Sequence, residues 1–339
     1  MNQLFCKNGN IFDNYKTYTC LNPGTSSATC SSSTLTVVDT ATSTDVGEYT
    51  SIYCPASDDC KISNYDRTGT NLMMVDCTSD ETCSSNTKTI VDSTTSGNTG
   101  LFSSIYCVAT DNCKIAYQDV TGNGLMFADC GNDTCSTVNL TKLDGVTSCV
   151  LTGCDSADNN CQYIAVYCVA DADCKISYYS STNTYLKMAD CDAAACDSGD
   201  AINLDGITDC VLFGCSTADD TGKFGTSIYC PTTNDCKIAY KNITDGDLYM
   251  ADCENDPECD GAGADQGPTT LLDGGASCTL TNCSTSATPT MGSQASIYCP
   301  SATDCKITYR LDSAGNTEDL KMGDCGSATC GSGTTLTLD

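Results

Sequence analysis

The stretch that decides the fold is Ser104–Asp144, SIYCVATDNCKIAYQDVTGNGLMFADCGNDTCSTVNLTKLD. It contains four short runs of strand-forming residues, Ser104–Cys107, Lys114–Tyr117, Leu125–Cys130 and Val138–Leu143. Asp, Asn, Gly and Thr residues separate these runs, and such residues favour turns. The stretch therefore predicts a four-stranded antiparallel meander.

Edited copies of this stretch fill almost the whole chain. Four regular copies and one shorter variant lie at Ser51–Asp92, Ala165–Asp205, Ser227–Asp273, Ser296–Asp339 and Gln3–Asp39. The copies keep a similar length, so the insertions fall between them. We therefore divide the chain into a single domain of six repeats, named repeats 1 to 6, at residues 1–49, 50–102, 103–163, 164–225, 226–294 and 295–339.

The repeat pattern predicts an all-β, disulfide-rich protein. A meander of about 40 residues that recurs in series is typical of a β-propeller blade, so we expect a six-bladed β-propeller. An open row of small sheets is the alternative arrangement. No window of the sequence shows the 3.6-residue period of an amphipathic helix, and the Thr, Val, Ile and Tyr content favours strands.

The cysteine content indicates the compartment. The chain has 30 Cys among 339 residues, which is the density of a disulfide scaffold and does not fit a reducing cytosol. We therefore expect a secreted protein, extracellular or at the cell surface, although no secretion signal is visible in this chain. No apolar run is long enough to span a membrane, so we expect no membrane insertion.

The charge balance narrows the range of partners. A formal net charge of −29 opposes binding to nucleic acid and to anionic membranes, since both require clustered Lys and Arg. Such acidity keeps a protein soluble, and it can also recruit divalent cations such as calcium. Solubility is the simpler interpretation.

The repeat consensus resembles a known kind of protein. It reads SI-x-C, then CKI-x-Y, then L-x-M-A-D-C, a further Cys and finally T-x-L-D. This resembles secreted repeat proteins with propeller-like domains, and the resemblance covers nearly the whole chain. It implies a propeller-like fold, with flagellar hairs (mastigonemes) or other extracellular filaments as candidate assemblies.

The cysteines form three sets of close pairs. One set brackets the turn between the first and second strands: Cys54 with Cys60, Cys107 with Cys113, Cys168 with Cys174, Cys230 with Cys236, and Cys299 with Cys305. A second set brackets the turn between the third and fourth strands: Cys77 with Cys83, Cys130 with Cys135, Cys191 with Cys196, Cys253 with Cys259, Cys325 with Cys330, and Cys20 with Cys30. The third set lies in the long connections: Cys149 with Cys154, Cys210 with Cys215, and Cys278 with Cys283. Opposed positions on antiparallel strands are close enough for a disulfide, so we expect fourteen local bonds rather than thiolate-bound metal.

Two cysteines and four asparagines are candidates for other bonds. Cys6 and Cys161 fall outside the three sets, and in a six-bladed ring they would lie too far apart to pair with each other. A disulfide to another molecule is then one interpretation, and buried thiols or a different local pairing are the alternatives. Sequons for N-glycosylation occur at Asn132, Asn139, Asn242 and Asn282.

The sequence gives no sign of an active site. The chain has no His, so neither a Ser-His-Asp triad nor a His-based metal centre can form. Pairs of carboxylates could act as in a glycosidase, but the acidic residues recur from repeat to repeat instead of standing at one place. We therefore expect no catalytic residues and no cofactor.

Three recurring residue types have structural and functional interpretations. The residues before the second Cys of each repeat and the lysines after it are Asp59, Asn112, Asp173, Asp235, Asp304 and Lys61, Lys114, Lys175, Lys237, Lys306. We expect exposed ion pairs between neighbouring repeats, with a calcium-binding ring of Asp as the alternative. The first-strand tyrosines are Tyr53, Tyr106, Tyr167, Tyr229 and Tyr298; these are interpreted as packing between repeats or as a sugar-stacking surface.

The sequence predicts a structural role. A disc with two unlike faces suits head-to-tail contact, so we expect a non-enzymatic subunit of an extracellular filament or surface appendage, binding copies of itself and other filament chains. A secreted carbohydrate-binding adhesin, with a lectin-like propeller and glycan partners, is the alternative.

Overall fold

The computed structural model describes residues 4–7, 10–13, 19–21, 29–31, 36–39, 45–77, 83–93, 97–122, 124–145, 148–156, 161–233, 235–254, 256, 259–260, 267–285, 290–312 and 318–338. Regular structure in this part of the chain consists of 25 strands. The all-β and disulfide-rich expectations are confirmed. Within the described residues, no helix is both long and apolar enough to cross a bilayer.

Repeats 2 to 6 each form one four-stranded antiparallel sheet, with the strands in sequence order. The strands of repeat 1 are β1 (Leu4–Lys7), β2 (Asn10–Asp13), β3 (Thr19–Leu21), β4 (Thr29–Ser31) and β5 (Thr36–Asp39). Repeats 2 and 3 contain β6 (Val46–Ala56), β7 (Asp59–Asp66), β8 (Asn71–Asp76), β9 (Thr87–Asp92), β10 (Thr99–Ala109), β11 (Asn112–Asp119), β12 (Gly124–Cys130) and β13 (Val138–Asp144). Repeats 4 to 6 contain β14 (Cys161–Ala170), β15 (Asp173–Ser180), β16 (Tyr185–Cys191), β17 (Gly199–Asp205), β18 (Thr221–Thr232), β19 (Asp235–Asn242), β20 (Asp247–Asp252), β21 (Thr269–Asp273), β22 (Thr290–Ser301), β23 (Asp304–Asp312), β24 (Glu318–Cys325) and β25 (Gly333–Thr337).

Repeat 1 departs from the expected four-stranded blade. Its sheet has three strands in the order β1-β2-β5, and β3 pairs with β4 as a separate two-stranded ribbon. The prediction of six blades, of which the shorter first one would still supply four strands, is therefore corrected to five four-stranded sheets and a first repeat of different topology. The segment between β2 and β5 forms its own hairpin, with Cys20 opposite Cys30, instead of adding a third strand to the sheet.

The first strands begin earlier than the predicted repeat boundaries. They are 10 to 12 residues long in repeats 2 to 6, and the pairing of β6, β14, β18 and β22 shifts register along the strand. Near the middle of each first strand one non-glycine residue has a positive φ: Tyr49, Phe102, Tyr163, Phe224 or Gln294. A bulge of this kind interrupts the alternation of side chains, which explains why the sequence pattern indicated only the second half of each strand.

The chain separates into two compact units. One comprises Met1–Ile115 with Cys130–Val138, and the other comprises Ala116–Asp129 with Asn139–Asp339. The sequence suggested a single domain. In the second unit, successive first strands β14, β18 and β22 lie next to one another, and β6 and β10 do so in the first.

Each sheet has two different faces. The lysine face carries a Tyr, a Lys and an Asp directly opposite one another on the first three strands, as in Tyr167, Lys175 and Asp190. The opposite face, here called the cysteine face, carries the Ile and Cys side chains of the same strands. In the second unit, Leu186 and Met188 on the lysine face of repeat 4 pack on Ile228 and Cys230 of the next cysteine face.

The long connections bond to the outer edge of the following sheet. Residues Thr152, Phe213 and Thr281 each make a parallel bridge to the fourth strand of the next repeat, at Asp200, Pro268 and Thr334. In the middle case the Phe213 N–H donates to Gly267 O and the Thr269 N–H donates to Phe213 O, both at 3.0 Å. We call these three segments latches. Each latch covers part of a sheet edge that would otherwise be open for pairing with other chains.

Candidate functional site

The repeated lysines lie in cages of carboxylates. Lys237 Nζ contacts Asp235 Oδ1 at 2.7 Å and Asp252 Oδ1 at 2.8 Å, and its side chain is fully buried. Lys175 contacts Asp173 and Asp190 in the same way, and Lys306 contacts Asp304 and Asp324. The alternating strand geometry explains this, because the Asp two residues before the Lys and the Asp opposite it share its face.

These cages correct the expectation of exposed ion pairs. The lysine side chains of repeats 2, 4 and 5 are 0 to 5% exposed, and the partners described above lie in the same repeat as the lysine. Lys61 also reaches the next repeat, through Asp133. Lys306, in the sheet of repeat 6, is more accessible, since its side chain is 35% exposed.

The calcium interpretation does not fit the cages. Asp59, Asp76 and Asp133 bring carboxylate oxygens close enough to hold a metal ion, but the Lys61 ammonium is hydrogen-bonded to all three. Burial lowers the pKa of Lys61, and the hydrogen bonds to Asp133, Asp59 and Asp76 outweigh that effect and raise it. The ammonium therefore supplies the positive charge that these carboxylates require. A second acidic group, Asp144 with Cys149 and Cys154, contains cysteines that are already bonded to each other.

A second recurring carboxylate joins neighbouring sheets. Asp273, at the end of β21, is completely buried and accepts hydrogen bonds from Tyr309 Oη and Lys321 Nζ of the next repeat. Asp144 is bonded in the same way by Tyr178 and Lys187. The Asp that ends one repeated stretch therefore meets the Tyr of the next CKI-x-Y motif at Asp144, Asp205 and Asp273. We call these three contacts between neighbouring sheets joints. The sequence showed both motifs, but nothing in it indicated that they form a pair.

The joint at Asp205 has a tyrosine in place of the cation. Asp205 accepts hydrogen bonds from Tyr240 Oη at 2.7 Å and from the Ser216 N–H at 2.5 Å. Tyr249 lies opposite Tyr240 on the neighbouring strand, where the other two joints have Lys187 and Lys321. Burial raises the pKa of Asp205 to about 6, although the Tyr240 hydrogen bond opposes this shift.

Other buried carboxyls are also shifted. Burial raises the pKa values of Asp190 and Asp252 to about 6, although Lys175 and Lys237 respectively oppose the shift. Burial and the neighbouring charge of Asp245 raise the pKa of Asp247 to about 6 as well. These groups have little or no access to solvent, so the shifts reflect burial in the scaffold rather than a site that a substrate reaches.

The first-strand tyrosines form partly exposed rows. In the second compact unit, the rings of Tyr167 and Tyr229 have centroids 4.7 Å apart, and those of Tyr229 and Tyr298 are 5.0 Å apart. We call these three residues the tyrosine row. Tyr298 is 57% exposed and the other two are half-buried. In the first unit, Tyr53 and Tyr106 make a similar pair at 4.4 Å. The rings contact one another between repeats, as the packing interpretation expected, and they also face solvent; the sugar-stacking interpretation stays a prediction.

The bulged residues form a second set of aromatic contacts. Tyr49 and Phe102 have ring centroids 4.4 Å apart, and Tyr163 and Phe224 are 6.0 Å apart. A positive φ is unfavourable for an aromatic residue and requires support from its surroundings. That support includes hydroxyls of the next repeat, because Ser103 Oγ donates to Tyr49 O and Thr226 Oγ1 donates to Tyr163 O. No sequence pattern marks these residues, since the position holds Tyr, Phe or Gln.

Thirteen of the fourteen expected local cysteine pairs are bonded in the structure. Between the first and second strands the bonds join Cys54 to Cys60, Cys107 to Cys113, Cys168 to Cys174, Cys230 to Cys236, and Cys299 to Cys305. Between the third and fourth strands they join Cys77 to Cys83, Cys130 to Cys135, Cys191 to Cys196, Cys253 to Cys259, and Cys325 to Cys330. In the long connections they join Cys149 to Cys154, Cys210 to Cys215, and Cys278 to Cys283.

Of the four remaining cysteines, Cys161 is described with its side chain. The side chains of Cys6, Cys20 and Cys30 lie outside the described residues, so the fourteenth pair and the proposed role of Cys6 stay predictions. Cys161 is completely buried at the start of β14. A buried thiol cannot meet a cysteine of another molecule without local opening, so this position does not favour an intermolecular disulfide.

The four sequons lie in different environments. Asn242 is 2% exposed, and its Nδ2 donates to Asp219 and Asp245. Asn132 Nδ2 donates to Ser136 Oγ within a turn, and Asn282 lies in a latch with φ +64°. Asn139 is exposed on β13. The structure therefore separates one inaccessible sequon from three that reach the surface.

The chain was compared with known proteins at three levels. No protein-family model matches the sequence, and no curated protein matches it. A solved protein of unknown function from Dyadobacter fermentans is 8% identical with a TM-score of 0.51, and the alignment covers 86% of this chain and 83% of that one. AofleA from Arthrobotrys oligospora is 10% identical with a TM-score of 0.45, and the alignment covers 87% of this chain and 74% of AofleA. An endo-arabinase from Bacteroides thetaiotaomicron is 12% identical with a TM-score of 0.42, and the alignment covers 77% of this chain and 88% of the endo-arabinase.

These comparisons correct the predicted function. An α-L-arabinofuranosidase from Lactobacillus brevis and an exo-β-1,3-galactanase from Phanerochaete chrysosporium are also among the similar structures. The proteins with which this chain shares structure thus include carbohydrate-active enzymes, and the prediction of a non-enzymatic filament subunit is withdrawn. At these low identities the similarity concerns the fold, and the substrates of those proteins are not transferred to this chain.

Proposed function

We propose that this chain is an extracellular carbohydrate-binding protein whose tyrosine row contacts the sugar rings of a neutral glycan. The observation that carries the proposal is the row itself, Tyr167, Tyr229 and Tyr298, in which neighbouring rings are 4.7 and 5.0 Å apart and the last is 57% exposed. The scaffold we infer is a set of propeller-type blades, because each regular sheet is a four-stranded meander. The disulfides support an extracellular location.

The chemistry of the row suits a sugar. A tyrosine presents an apolar ring and a polar hydroxyl, so it can contact the C–H surface of a pyranose and hydrogen-bond to a sugar hydroxyl. A half-exposed aromatic row is also an apolar surface of the kind that marks a binding site. The net charge of −29 repels anionic polymers, which favours a neutral glycan over an acidic one.

Binding fits the described carboxylates better than cleavage does. A glycosidase needs two carboxyl groups that flank the scissile bond and that the substrate can reach. The shifted carboxyls Asp190 and Asp252 are 0 to 1% exposed and face the buried ammonium groups of Lys175 and Lys237. They are therefore part of the scaffold.

The test is affinity electrophoresis in gels that contain arabinan, galactan or an acidic polysaccharide, followed by titration calorimetry with oligosaccharides of the retarding polymer. We expect retardation by a neutral polymer, and a loss of affinity of about tenfold in Tyr298→Ala, equivalent to about 1.4 kcal/mol. Tyr298→Phe retains the ring and should bind within about twofold of the wild type.

Leu338→Ala is the matched control, since Leu338 is 47% exposed on the same repeat but lies outside the row. Absence of retardation by every neutral polymer, or equal retardation of the wild type and Tyr298→Ala, would contradict the proposal. Release of reducing ends during the incubation would identify the protein as a glycosidase instead.

A further inference from the structure

The fourth strands of the regular sheets differ in how their outer edges are protected. In repeats 4 to 6, a latch bonds to the C=O and the N–H on either side of one residue, namely Asp200, Pro268 or Thr334. In repeat 4, for example, the Thr152 N–H donates to Gly199 O at 2.9 Å and the Ala201 N–H donates to Thr152 O at 2.8 Å. An unprotected strand edge is a template for aggregation, so the latches protect these sheets.

The fourth strand of repeat 3, β13, lacks this protection among the described residues. The connection before repeat 3 is short and has no Cys pair, and the described backbone hydrogen bonds include no latch bond at Val138 O or at the Leu140 N–H. The four residues Val138–Thr141 carry no charge, and Leu140 is 42% exposed. The corresponding segment of β9 includes Lys88, and a lysine on an edge strand disfavours edge-to-edge pairing. The lysine of β13, Lys142, lies just beyond its uncharged segment, where the Val150 N–H donates to Lys142 O, so the open part of this edge is confined to Val138–Thr141.

The residue at the latch position of β13 is Asn139. Counting back along the sequence from the last Asp of each repeated stretch, Asn139 corresponds to Asp200, Pro268 and Thr334, the three bridge partners. Asn139 also begins the sequon Asn139-Leu140-Thr141, and its side chain is exposed. In repeat 3, a glycan acceptor therefore occupies the position at which the fourth strands of repeats 4 to 6 receive a latch.

The remaining sequons are less suitable for this role. Asn242 is buried with its Nδ2 donated to Asp219 and Asp245, so the folded protein has no room for a glycan there. Asn282 belongs to a latch and is followed by Cys283, which is bonded to Cys278. The Asn132 amide is hydrogen-bonded into its own turn with Ser136.

We propose that Asn139 carries an N-linked glycan that shields the open edge of β13. In the transfer, Asn139 Nδ2 forms a bond to the anomeric carbon of an oligosaccharide and loses one proton. The bond between that carbon and the pyrophosphate of the lipid-linked donor breaks, and the lipid pyrophosphate leaves. A large hydrated glycan on this edge then blocks the approach of another strand by its bulk. The latches of repeats 4 to 6 block it by occupying the backbone hydrogen-bonding groups of the edge.

The first measurement is site mapping of the full chain secreted from eukaryotic cells. Enzymatic deglycosylation in heavy-oxygen water labels each released Asn, and peptide mass spectrometry then gives its occupancy. We expect Asn139 to be occupied in most molecules and Asn242 to be unoccupied. An unmodified Asn139 in material that carries a glycan at another sequon, or that carries none, would overturn the proposal.

The second measurement tests the shielding role. Asn139→Gln should increase the rate of aggregation at 37 °C, as followed by light scattering, by about threefold or more relative to the wild type. The double variant that combines Asn139→Gln with Leu140→Lys places a charge on the same edge and should restore the wild-type rate without a glycan. Asn282→Gln is the matched control for loss of an exposed sequon and should aggregate like the wild type. Equal aggregation of Asn139→Gln and the wild type, with Asn139 occupied, would show that the glycan is not a shield.

Discussion

A single ammonium group in each cage forms ion pairs with two or three carboxylates, and in repeats 2, 4 and 5 the lysine side chain is buried. Lys237 illustrates the arrangement, since its side chain and that of Asp252 are both completely buried. Removing one partner of a buried pair leaves the other charge in a poorly solvated position, which is more unfavourable than losing the attraction between them. The cages therefore make folding depend on the lysine even though they add little net attraction.

Lys237→Met should strongly destabilise the protein. The change leaves Asp235 and Asp252 without their cation, and we expect the free energy of unfolding at pH 7 to fall by about 3–5 kcal/mol. Lys306→Met removes the corresponding lysine from the cage of repeat 6, where its side chain is 35% exposed. This change should lower the free energy of unfolding by about 1 kcal/mol or less. Urea denaturation of both variants measures the difference. Equal losses would show that burial does not determine the strength of a cage.

The joint at Asp205 permits the opposite experiment, in which a cation is added. Tyr249→Lys places an ammonium where Lys187 and Lys321 lie in the neighbouring joints, so we expect the pKa of Asp205 to fall from about 6 towards its usual value. The unfolding free energy at pH 7 should rise by about 1 kcal/mol, against an upper limit of about 1.4 kcal/mol for each pKa unit recovered. Urea denaturation at pH 5 and pH 7 is the measurement.

Tyr249→Phe is the control for the ring without its hydroxyl, and it should leave the pH dependence of stability unchanged. A Tyr249→Lys variant whose stability varies with pH as steeply as that of the wild type would show that the new ammonium does not reach Asp205.

At the scale of the elements, the latches attach the long connections to the sheets and protect the outer edges of the fourth strands. A latch begins at the Asp that ends one sheet, returns alongside that strand and then bonds to the fourth strand of the next sheet. The Val211 N–H donates to Asn203 O in the first sheet, and the Phe213 N–H donates to Gly267 O in the second. The disulfide between Cys210 and Cys215 closes the short loop that contains both of these attachments.

Phe213→Pro should release the latch of repeat 5. Proline has no N–H to donate to Gly267 O, so we expect faster hydrogen exchange at the Thr269 amide and a loss of about 1 kcal/mol of stability. Phe213→Ala retains the N–H and removes only a side chain that is 70% exposed. Unchanged protection of Thr269 in the proline variant would mean that the latch does not hold this edge.

At the scale of the whole molecule, the buried acids make stability depend on pH. Four carboxyls, those of Asp190, Asp205, Asp247 and Asp252, have pKa values of about 6 in the folded protein. In an unfolded chain an Asp titrates with a pKa of about 3.9. Between these values the folded state binds more protons than the unfolded state, so stability falls as the pH rises from about 4 to about 6.

We therefore expect the urea midpoint of the wild type to be higher at pH 5 than at pH 7. Self-repulsion among 44 acidic residues would produce the same trend, but added salt screens exposed charges far more than buried ones. The comparison is made at about 0.1 M and about 0.5 M NaCl, which bracket weak and strong screening. A difference that persists in high salt supports the buried acids, whereas one that disappears assigns the trend to surface charge.

The sequence by itself determined the repeat, the strand order within repeats 2 to 6 and thirteen of the local cysteine pairs. These features depend on residues that are close in the chain, such as Cys107 and Cys113 at the two ends of one hairpin, so their spacing is sufficient to predict them. The alternation of side chains and the turn residues give the meander for the same reason.

Only the tertiary structure decided what the charged residues and the connections do. A lysine is usually exposed, so the sequence placed the Lys of CKI at the surface, yet the packing of the next sheet on the lysine face buries Lys237 and leaves Lys306 partly open. The pairing of Asp273 with Tyr309 and the bonding of Phe213 beside Pro268 join residues 36 and 55 positions apart. Such contacts depend on how one sheet lies against the next, and the spacing of residues along the chain carries no information about that arrangement.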